Sequence, residues 1–563
     1  MSNEKAEENV PNKDGDNPYA YLERDFSSES FKIEVKNLPK YYGINEFRKL
    51  LNEKLKLASN KIKSPRQNCS YIFVCFRNEE DRQNAINTIT NYKWKGKVLN
   101  AIKAKPAPDP LVKKRKDTEE NSPNKKIKSD KPLLERLKDS TIPFWNITYN
   151  QQLEEKQKTI RDILIKFGNN LSHQNNSLQK WIEKQKLKHN GLPCELLQIR
   201  SVDKIEGYRN KCEFSVGINE ETNEKTVGFR MGCYANGITS VGPIQDLCHI
   251  PETMKLAVKY YEDFVKSYDL EVFNPEKQTG HFRQLSIRSA PEQLMLVFGI
   301  HPQDLNAEKV AKFKEDVVEF FTTGLGGGCG VTSMYYQEIT KRVSGEDLPL
   351  EHLYGETHIK ETLLDLTFKV SPKAFFQINT PAAEVLYKTA IELAKPTQQS
   401  TVVDICCGTG TIGLCFSKIC NQIIGLELIP EAVEDAKENA KLNNIENVEF
   451  FTGKAEDILA SVCYRATNDD VIGIVDPPRA GLHQRAVTQL RKVRNLKKLV
   501  FIACNPHAAM KNFIDLGRPI SKTLQEECFV PIKAVAVDMF PFTKHCELVI
   551  YFERWDIIEN EMN

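Results

Sequence analysis

Cys504 ends an apolar run, LVFIACNP over 499–506, and is followed by the turn-forming pair Asn505 and Pro506. A lone cysteine is most often a small core residue. At the carboxyl tip of a strand in an open α/β sheet it becomes a candidate nucleophile, because ligands of such sheets bind at that edge. Asp476 ends a second run, VIGIVDPPRAG over 471–481. Glu547 closes DMFPFTKHCE over 538–547, and the apolar LVIYF continues from it as a strand. A period of two puts His545 and Glu547 on one strand face. Gln377 stands in SPKAFFQINT over 371–380, beside Phe376 and Ile378. Once buried, its amide needs partners that a ligand or backbone carbonyls could supply.

The co-reactant is indicated by TVVDICCGTGTIG over 401–413. Val402 and Val403 begin a strand, Gly408, Gly410 and Gly413 punctuate a tight turn, and a helix follows. Such a turn presents free backbone N–H groups and lets a ligand approach closely. A second strand, IIGL over 423–426, ends on Glu427, a carboxylate placed to accept two ribose hydroxyls. There is no phosphate-loop lysine and no nearby phosphate-neutralising arginine. A ribose-bearing, phosphate-free cofactor fits better than a nicotinamide or a flavin, and S-adenosylmethionine is the obvious one.

A thiol, a carboxylate and a sulfonium methyl donor suit one demanding reaction. Uracil C5 is a poor nucleophile. A thiolate adding to C6 turns C5 into an enolate carbon able to accept a methyl group. A base must then remove the C5 proton so that the thiol can leave. Cys504 and Glu547 supply these groups, and Asp476 or Gln377 could hydrogen-bond the polar edge of the ring. The base must leave its stack to reach Cys504. Acid-Pro-Pro motifs typify methyltransferases that act on planar nitrogens or bases. Amine methylation calls for an aromatic where Arg479 stands, and 5-methylcytosine formation for a cysteine beside the second proline.

The elements that must position these groups occupy a long chain. At 563 residues it holds several domains. With 27% charged and 40% hydrophobic residues its composition is that of a soluble protein, and a net charge of +2 confines any nucleic-acid site to a local patch. No signal peptide or bilayer-length apolar run is visible, so no membrane partner is expected. Fifteen scattered cysteines without a CxxC pair suit a reduced cytoplasmic or nuclear protein with no metal site.

Residues 1–28 read as disordered. From 29 to 106 the pattern is β-α-β-β-α-β, which resembles an α+β, ferredoxin-like RNA-recognition motif, with Tyr71 and Phe73 where bases usually stack. Glu34 replaces an aromatic of the first signature, and Cys69 and Ser70 replace the basic residue and glycine of the second, so phosphate attraction is weakened. A basic linker, 107–132, carries two lysine-rich clusters, 113–116 and 125–128, which read as a bipartite nuclear-import signal or a solvated tether. A helical segment covers 133–194, with an amphipathic helix over 151–167. Short strands and glycine turns mark a β-rich central domain over 195–360. There Tyr208, Arg209, Lys211, Phe229, Arg230, Phe282, Arg283 and Arg288 repeat an aromatic-plus-basic theme that suits RNA, although ordinary sheet residues would look the same. The α/β, Rossmann-like cofactor domain spans 361–555.

The motifs DICCGTGTIGL, GLELIPEAVEDAKENAKLN, DPPRAGLH, ACNP and DMFPFTKHCE, with FFQIN upstream, resemble the RNA 5-methyluridine methyltransferases. The likeness runs from about Gly207 to Phe552, and the amino-terminal motif resembles that of a eukaryotic tRNA-modifying branch. The resemblance implies Cys504 as nucleophile and Glu547 as proton acceptor. It places Gln377, Cys406, Thr411, Glu427 and Asp476 at S-adenosyl-L-methionine, with Cys406 in place of a common aromatic. The implied substrate is the T-loop uridine of cytosolic tRNA. The competing reading is an RNA-binding or chaperone protein with an idle methyltransferase domain, or an enzyme acting on another RNA.

Overall fold

Val402 faces one side of a strand and its neighbours Val403 and Ile405 the other layer and core, so this strand is covered by helices on both faces. It belongs to the second of two units into which the chain divides, Met1–Asp130 and Lys131–Asn563. The computed structural model describes residues 31–39, 42–64, 69–105, 131–232, 240–275, 277–340, 348–524 and 526–562. The expected disordered lead and both basic clusters of the linker lie outside the described residues.

In the first unit, Ile33, Val35, Ile72 and Val74 alternate inward and meet Phe47, Ala85 and Ile89 from two helices, with Leu51 from the turn that follows the first. The elements are β1 (Lys32–Lys36), α1 (Ile44–Lys49), β2 (Lys61–Lys63), β3 (Tyr71–Cys75), α2 (Glu79–Ile89), the small hairpin β4 (Lys93–Trp94) and β5 (Lys97–Val98), and β6 (Asn100–Lys103). The antiparallel sheet runs β2-β3-β1-β6, a ferredoxin-like order. β2 was not visible in the sequence because Lys-Ile-Lys is too short to alternate; pairing with β3 makes it a strand. On the helix-free face, Tyr71 and Phe73 are half-buried with ring centroids 5.7 Å apart, and Lys32 Nζ lies 4.9 Å from the Phe73 centroid.

The second unit opens with α3 (Leu133–Thr141), α4 (Tyr149–Gln174), α5 (Gln179–Lys188) and β7 (Glu195–Leu196). The amphipathic helix runs further than 151–167, because Thr148 and Gln151 form a capping box and the apolar stripe continues to Leu171. These helices do not stand apart: Ile163, Leu164, Phe167 and Leu171 share a core with Phe513 and Phe552.

The central region contains β8 (Lys211–Ile218), β9 (Lys225–Arg230), β10 (Val241–Pro243), α6 (Glu252–Ser267), β11 (Phe282–Ala290), β12 (Gln293–Ile300), α7 (Ala307–Thr322), β13 (Ser333–Glu338) and β14 (Leu350–Gly355). Its seven strands run β10-β9-β8-β11-β12-β13-β14. It is mixed α/β rather than simply β-rich, since α6 and α7 cover the sheet with Tyr261, Phe264, Phe313 and Phe321. The hairpin β15 (Ile359–Leu363) and β16 (Leu366–Val370) straddles position 361 and packs beneath the last domain.

That domain comprises α8 (Thr380–Ala394), β17 (Ser400–Ile405), α9 (Thr411–Cys415), β18 (Gln422–Glu427), α10 (Pro430–Leu442), β19 (Val448–Thr452), α11 (Ala455–Cys463), β20 (Asp470–Val475), α12 (Gln484–Lys492), β21 (Leu496–Ala503), α13 (Pro506–Leu516), β22 (Phe529–Val537), β23 (Glu547–Arg554) and α14 (Trp555–Met562). The sheet order is β19-β18-β17-β20-β21-β23-β22-β7. β17 to β21 are parallel, and β23 runs antiparallel to β21. The start of β23 therefore lies at the same edge as the carboxyl ends of β17, β18, β20 and β21. The chain order reverses beside β17, where open sheets hold ligands. No helix among the described residues is long and apolar enough to cross a membrane. Among the same residues, no group of three or more His, Cys, Asp or Glu could hold a metal ion.

Candidate active site

The glycine turn is held by side chains behind it. Cys406 (φ 67°), Gly408 (φ 55°) and Gly410 (φ 79°) take the left-handed conformation that reverses the chain after β17. A Cβ on Gly410 would lie 3.0 Å from the Phe450 ring and 3.1 Å from Ala436 Cβ, so both space and φ call for glycine. Asp404 is fully buried, and its Oδ2 accepts the Gly413 N–H at 2.7 Å. Loss of that carboxylate would strand a buried donor at a cost of roughly 1–3 kcal/mol. Asn439, also fully buried, donates to the Thr409 carbonyl at 3.1 Å and accepts the Lys369 N–H at 2.8 Å. The turn was expected to offer its N–H groups to a ligand. Those of Gly408 and Gly413 are instead used internally, because two carboxylates reach them first.

Glu427, at the tip of β18, is one of those carboxylates. Its Oε2 accepts the Gly408 N–H at 3.0 Å, and its Oε1 accepts those of Leu428 at 2.7 Å and Ile429 at 3.0 Å. These bonds set its orientation and leave lone-pair capacity for hydroxyls. Leu428 and Ile429, beside it, are 56% and 54% exposed, an apolar shelf next to a polar anchor. Thr411 begins α9, and its Oγ1 lies 3.5 Å from the buried Tyr387 hydroxyl. Gln377 is buried and its Nε2 faces Asp476 Oδ2 at 3.4 Å, so a carboxyl rather than a backbone carbonyl meets its amide. Asn210 from the central region binds the Gln377 carbonyl at 2.8 Å.

Burial raises the pKa values along this edge. Asp404 is pushed up to about 7 by burial, with Asp476 and Glu427 adding to the effect and the Gly413 N–H opposing it. Asp476 is likewise raised to about 7 by burial. Mutually repelling carboxyl groups in a low-dielectric cleft favour a cationic ligand. The Cys406 thiol is pushed up to about 12, first by burial and then by Glu427 and Asp404.

Cys504 stands just past β21. Asn505 caps α13, accepting the Ala508 N–H at 3.2 Å, and Pro506 takes the first helical turn, so the strand-to-helix reversal falls at the thiol. Ala503 pairs with Leu548, and one step further that register brings Cys504 opposite Glu547. Glu547 is 3% exposed, and its Oε2 has no hydrogen-bond partner among the described residues. Its carboxyl is held well above the usual range by burial and then by Asp476, with Arg479 opposing. The half-buried Cys504 thiol is raised to about 11 by burial, Glu547 and Asp476, and Arg479 pulls it back. Arg479 acts on both groups, a role its sequence position did not reveal. His545 does not share the strand face of Glu547: β23 begins at Glu547, and His545 lies exposed in the preceding turn.

The five parallel strands, the glycine turn and the acid at the tip of β18 define a Rossmann-like methyltransferase. Residues 331–555 match the tRNA (Uracil-5-)-methyltransferase family. The chain is 41% identical over 541 residues to tRNA (uracil-5-)-methyltransferase homolog A of Homo sapiens, covering 95% of this chain and 85% of that protein. It is 40% identical over 426 residues to homolog B of Danio rerio, covering 75% of this chain and 87% of that protein. Among solved structures, the fold is similar to that of the Pyrococcus abyssi tRNA (uracil-54, C5)-methyltransferase in complex with S-adenosyl-L-homocysteine. The TM-score is 0.51 and the identity 23%, covering 72% of this chain and 83% of that chain. The chain belongs to the tRNA (uracil-5-)-methyltransferase family and is an S-adenosyl-L-methionine-dependent enzyme.

The residues present fit that cofactor: an oriented carboxylate for ribose, an apolar shelf, and an acidic edge for a sulfonium. Glu427→Ala is expected to weaken S-adenosyl-L-methionine binding by about 10- to 100-fold, the loss of one or two charge-assisted hydrogen bonds. Isothermal titration of the RNA-free protein measures it, with Glu434→Ala, an exposed residue of α10 paired with Lys437, as the neutral control.

Proposed function

We propose that this enzyme methylates C5 of the T-loop uridine in cytosolic tRNA through a transient covalent bond between Cys504 and uracil C6. The observation that carries the reading is the register of β21 and β23, which sets Cys504 opposite Glu547 at the edge that also carries Glu427 and Asp476. Gln377, Cys406, Thr411, Glu427 and Asp476 hold S-adenosyl-L-methionine. When bound, this cofactor supplies an electrophilic methyl group.

The protein's own residues do the rest. Cys504, with Arg479 lowering the cost of the thiolate, adds to C6, and the displaced electron pair makes C5 carbanion-like. Asp476 or Gln377, which touch each other, also hydrogen-bonds the polar edge of the ring. After C5 gains its methyl group, Glu547 takes the C5 proton. The C–H electron pair re-forms the C5–C6 double bond, the C6–S bond breaks, and Cys504 leaves as thiolate. A buried carboxylate with a raised affinity for protons suits this last step. In the first unit, the face bearing Tyr71 and Phe73 adds a stacking contact to RNA.

A tRNA transcript with labelled S-adenosyl-L-methionine tests the target. Changing the T-loop uridine to cytidine is expected to abolish methyl incorporation, while changing uridines elsewhere leaves it. Incorporation that survives the T-loop change would assign the enzyme to another uridine.

A further inference from the structure

Nine residues, 538–546, join β22 to β23 and end at the carboxylate of Glu547. Their first half is unusually well held. Four consecutive carbonyls each accept a hydrogen bond from a different part of the second unit. Met539 O accepts from Asn379 Nδ2 at 3.0 Å, and Phe540 O from Lys156 Nζ at 3.0 Å. Pro541 O accepts from the Tyr208 hydroxyl at 3.0 Å, and Phe542 O from the Phe144 N–H at 2.9 Å. Gln152 Oε1 accepts the Phe542 N–H at 2.7 Å. Lys156 also meets Asp538 Oδ1 at 2.6 Å, and both side chains are completely inaccessible to solvent.

A fully buried ion pair is poor evidence of a stability function, since its desolvation cost offsets most of its attraction. Its geometry indicates something else. Lys156 lies on α4, 382 positions before Asp538, and Tyr208 lies in the central region. Asn379 belongs to the segment that carries Gln377. The turn is thus a junction at which four separate segments fix the approach to one catalytic carboxylate.

We propose that Lys156 and Tyr208 are positioning residues for Glu547: by holding the 538–542 turn they set the carboxylate opposite Cys504, and they govern removal of the C5 proton rather than formation of the adduct. This rests on the role given to Glu547 under Proposed function. A carboxylate displaced by a fraction of an ångström loses proton-transfer efficiency, while thiolate addition, which depends on β21 and α13, continues. The methylated adduct on Cys504 should then accumulate.

The test uses the full chain with tRNA and methyl-labelled S-adenosyl-L-methionine. It compares turnover with the fraction of protein carrying labelled RNA after denaturation. Tyr208→Phe keeps the ring and removes one donor. Lys156→Met combined with Asp538→Asn removes the pair without leaving a buried charge unpartnered. Both are expected to lower kcat by about 10- to 100-fold with KM for tRNA little changed, while the trapped fraction rises several-fold. Glu547→Gln is the reference. If Glu547→Gln traps adduct but Tyr208→Phe loses turnover and adduct in parallel, or loses neither, the positioning role is overturned. If Glu547→Gln itself traps no adduct, the proposal falls together with the base role on which it rests.

Discussion

Cys504→Ala is expected to lower kcat by about 10⁴-fold or more, the scale on which single nucleophiles act in covalent catalysis. The same substitution is expected to abolish the denaturation-resistant complex formed with tRNA containing 5-fluorouridine. Fluorine at C5 cannot be removed as a proton is, so the wild-type enzyme should remain bonded through C6. The site's electrostatics sharpen the expectation. Cys406 and Cys407 lie in the glycine turn of the same edge, and burial among acids keeps Cys406 up to about 12 and Cys407 well above its usual value. Neither lies on β21 opposite Glu547, where Arg479 lowers the Cys504 thiol. Folding should be little affected, because a half-buried sulfur removed from a strand tip leaves a small, solvent-connected gap. Undiminished adduct in Cys504→Ala would rule out the covalent route proposed here.

The second large effect concerns Glu547, and its direction differs. Glu547→Gln is expected to lower multiple turnover by about 10²- to 10⁴-fold, as for loss of a general base. Adduct formation should survive, so the variant with ordinary tRNA should trap methylated RNA on Cys504. Glutamine keeps the shape of the side chain, and Oε2 has no partner among the described residues that the amide would lose. The variant should also be at least as stable as wild type at neutral pH. The wild-type carboxyl is raised by burial and by Asp476, so its neutral form is the one the fold favours. A group raised in this way contributes stability below its unfolded value that is lost as pH climbs through the folded value. Glutamine avoids that loss. A denaturing gel and a urea unfolding curve of the same preparation separate the chemical effect from the structural one.

How much of this was legible beforehand follows from where each signal resides. Glu427, Asp476 and Cys504 could be found because each ends or immediately follows a run of β-branched and apolar residues, and parallel strands bring all such ends to one edge. The glycine turn was legible for the same local reason. Its N–H groups were read as free, however, and only the folded chain shows Asp404 and Glu427 using them. The helices α6 and α7 were overlooked although Met254, Ala257, Val258, Tyr261, Phe264 and Val265 recur with helical spacing. β2 and β7 offered no such signal, since three residues and two residues are too few to show a period.

Residue order alone therefore determined the chemical groups: a thiol and carboxylates at strand ends, a glycine turn followed by an acid-tipped strand, and an aromatic-bearing β-α-β-β-α-β unit ahead of them. Those properties reside in side-chain type and in spacings of two to four residues, which act over one turn or one strand. Tertiary structure alone decided that Arg479 serves both Cys504 and Glu547, that His545 stays outside the strand, and that Lys156 and Tyr208 grip the turn before Glu547. Such contacts join positions hundreds of residues apart. Their strength comes from the exclusion of water once the core has closed, and no local stretch of chain carries that information.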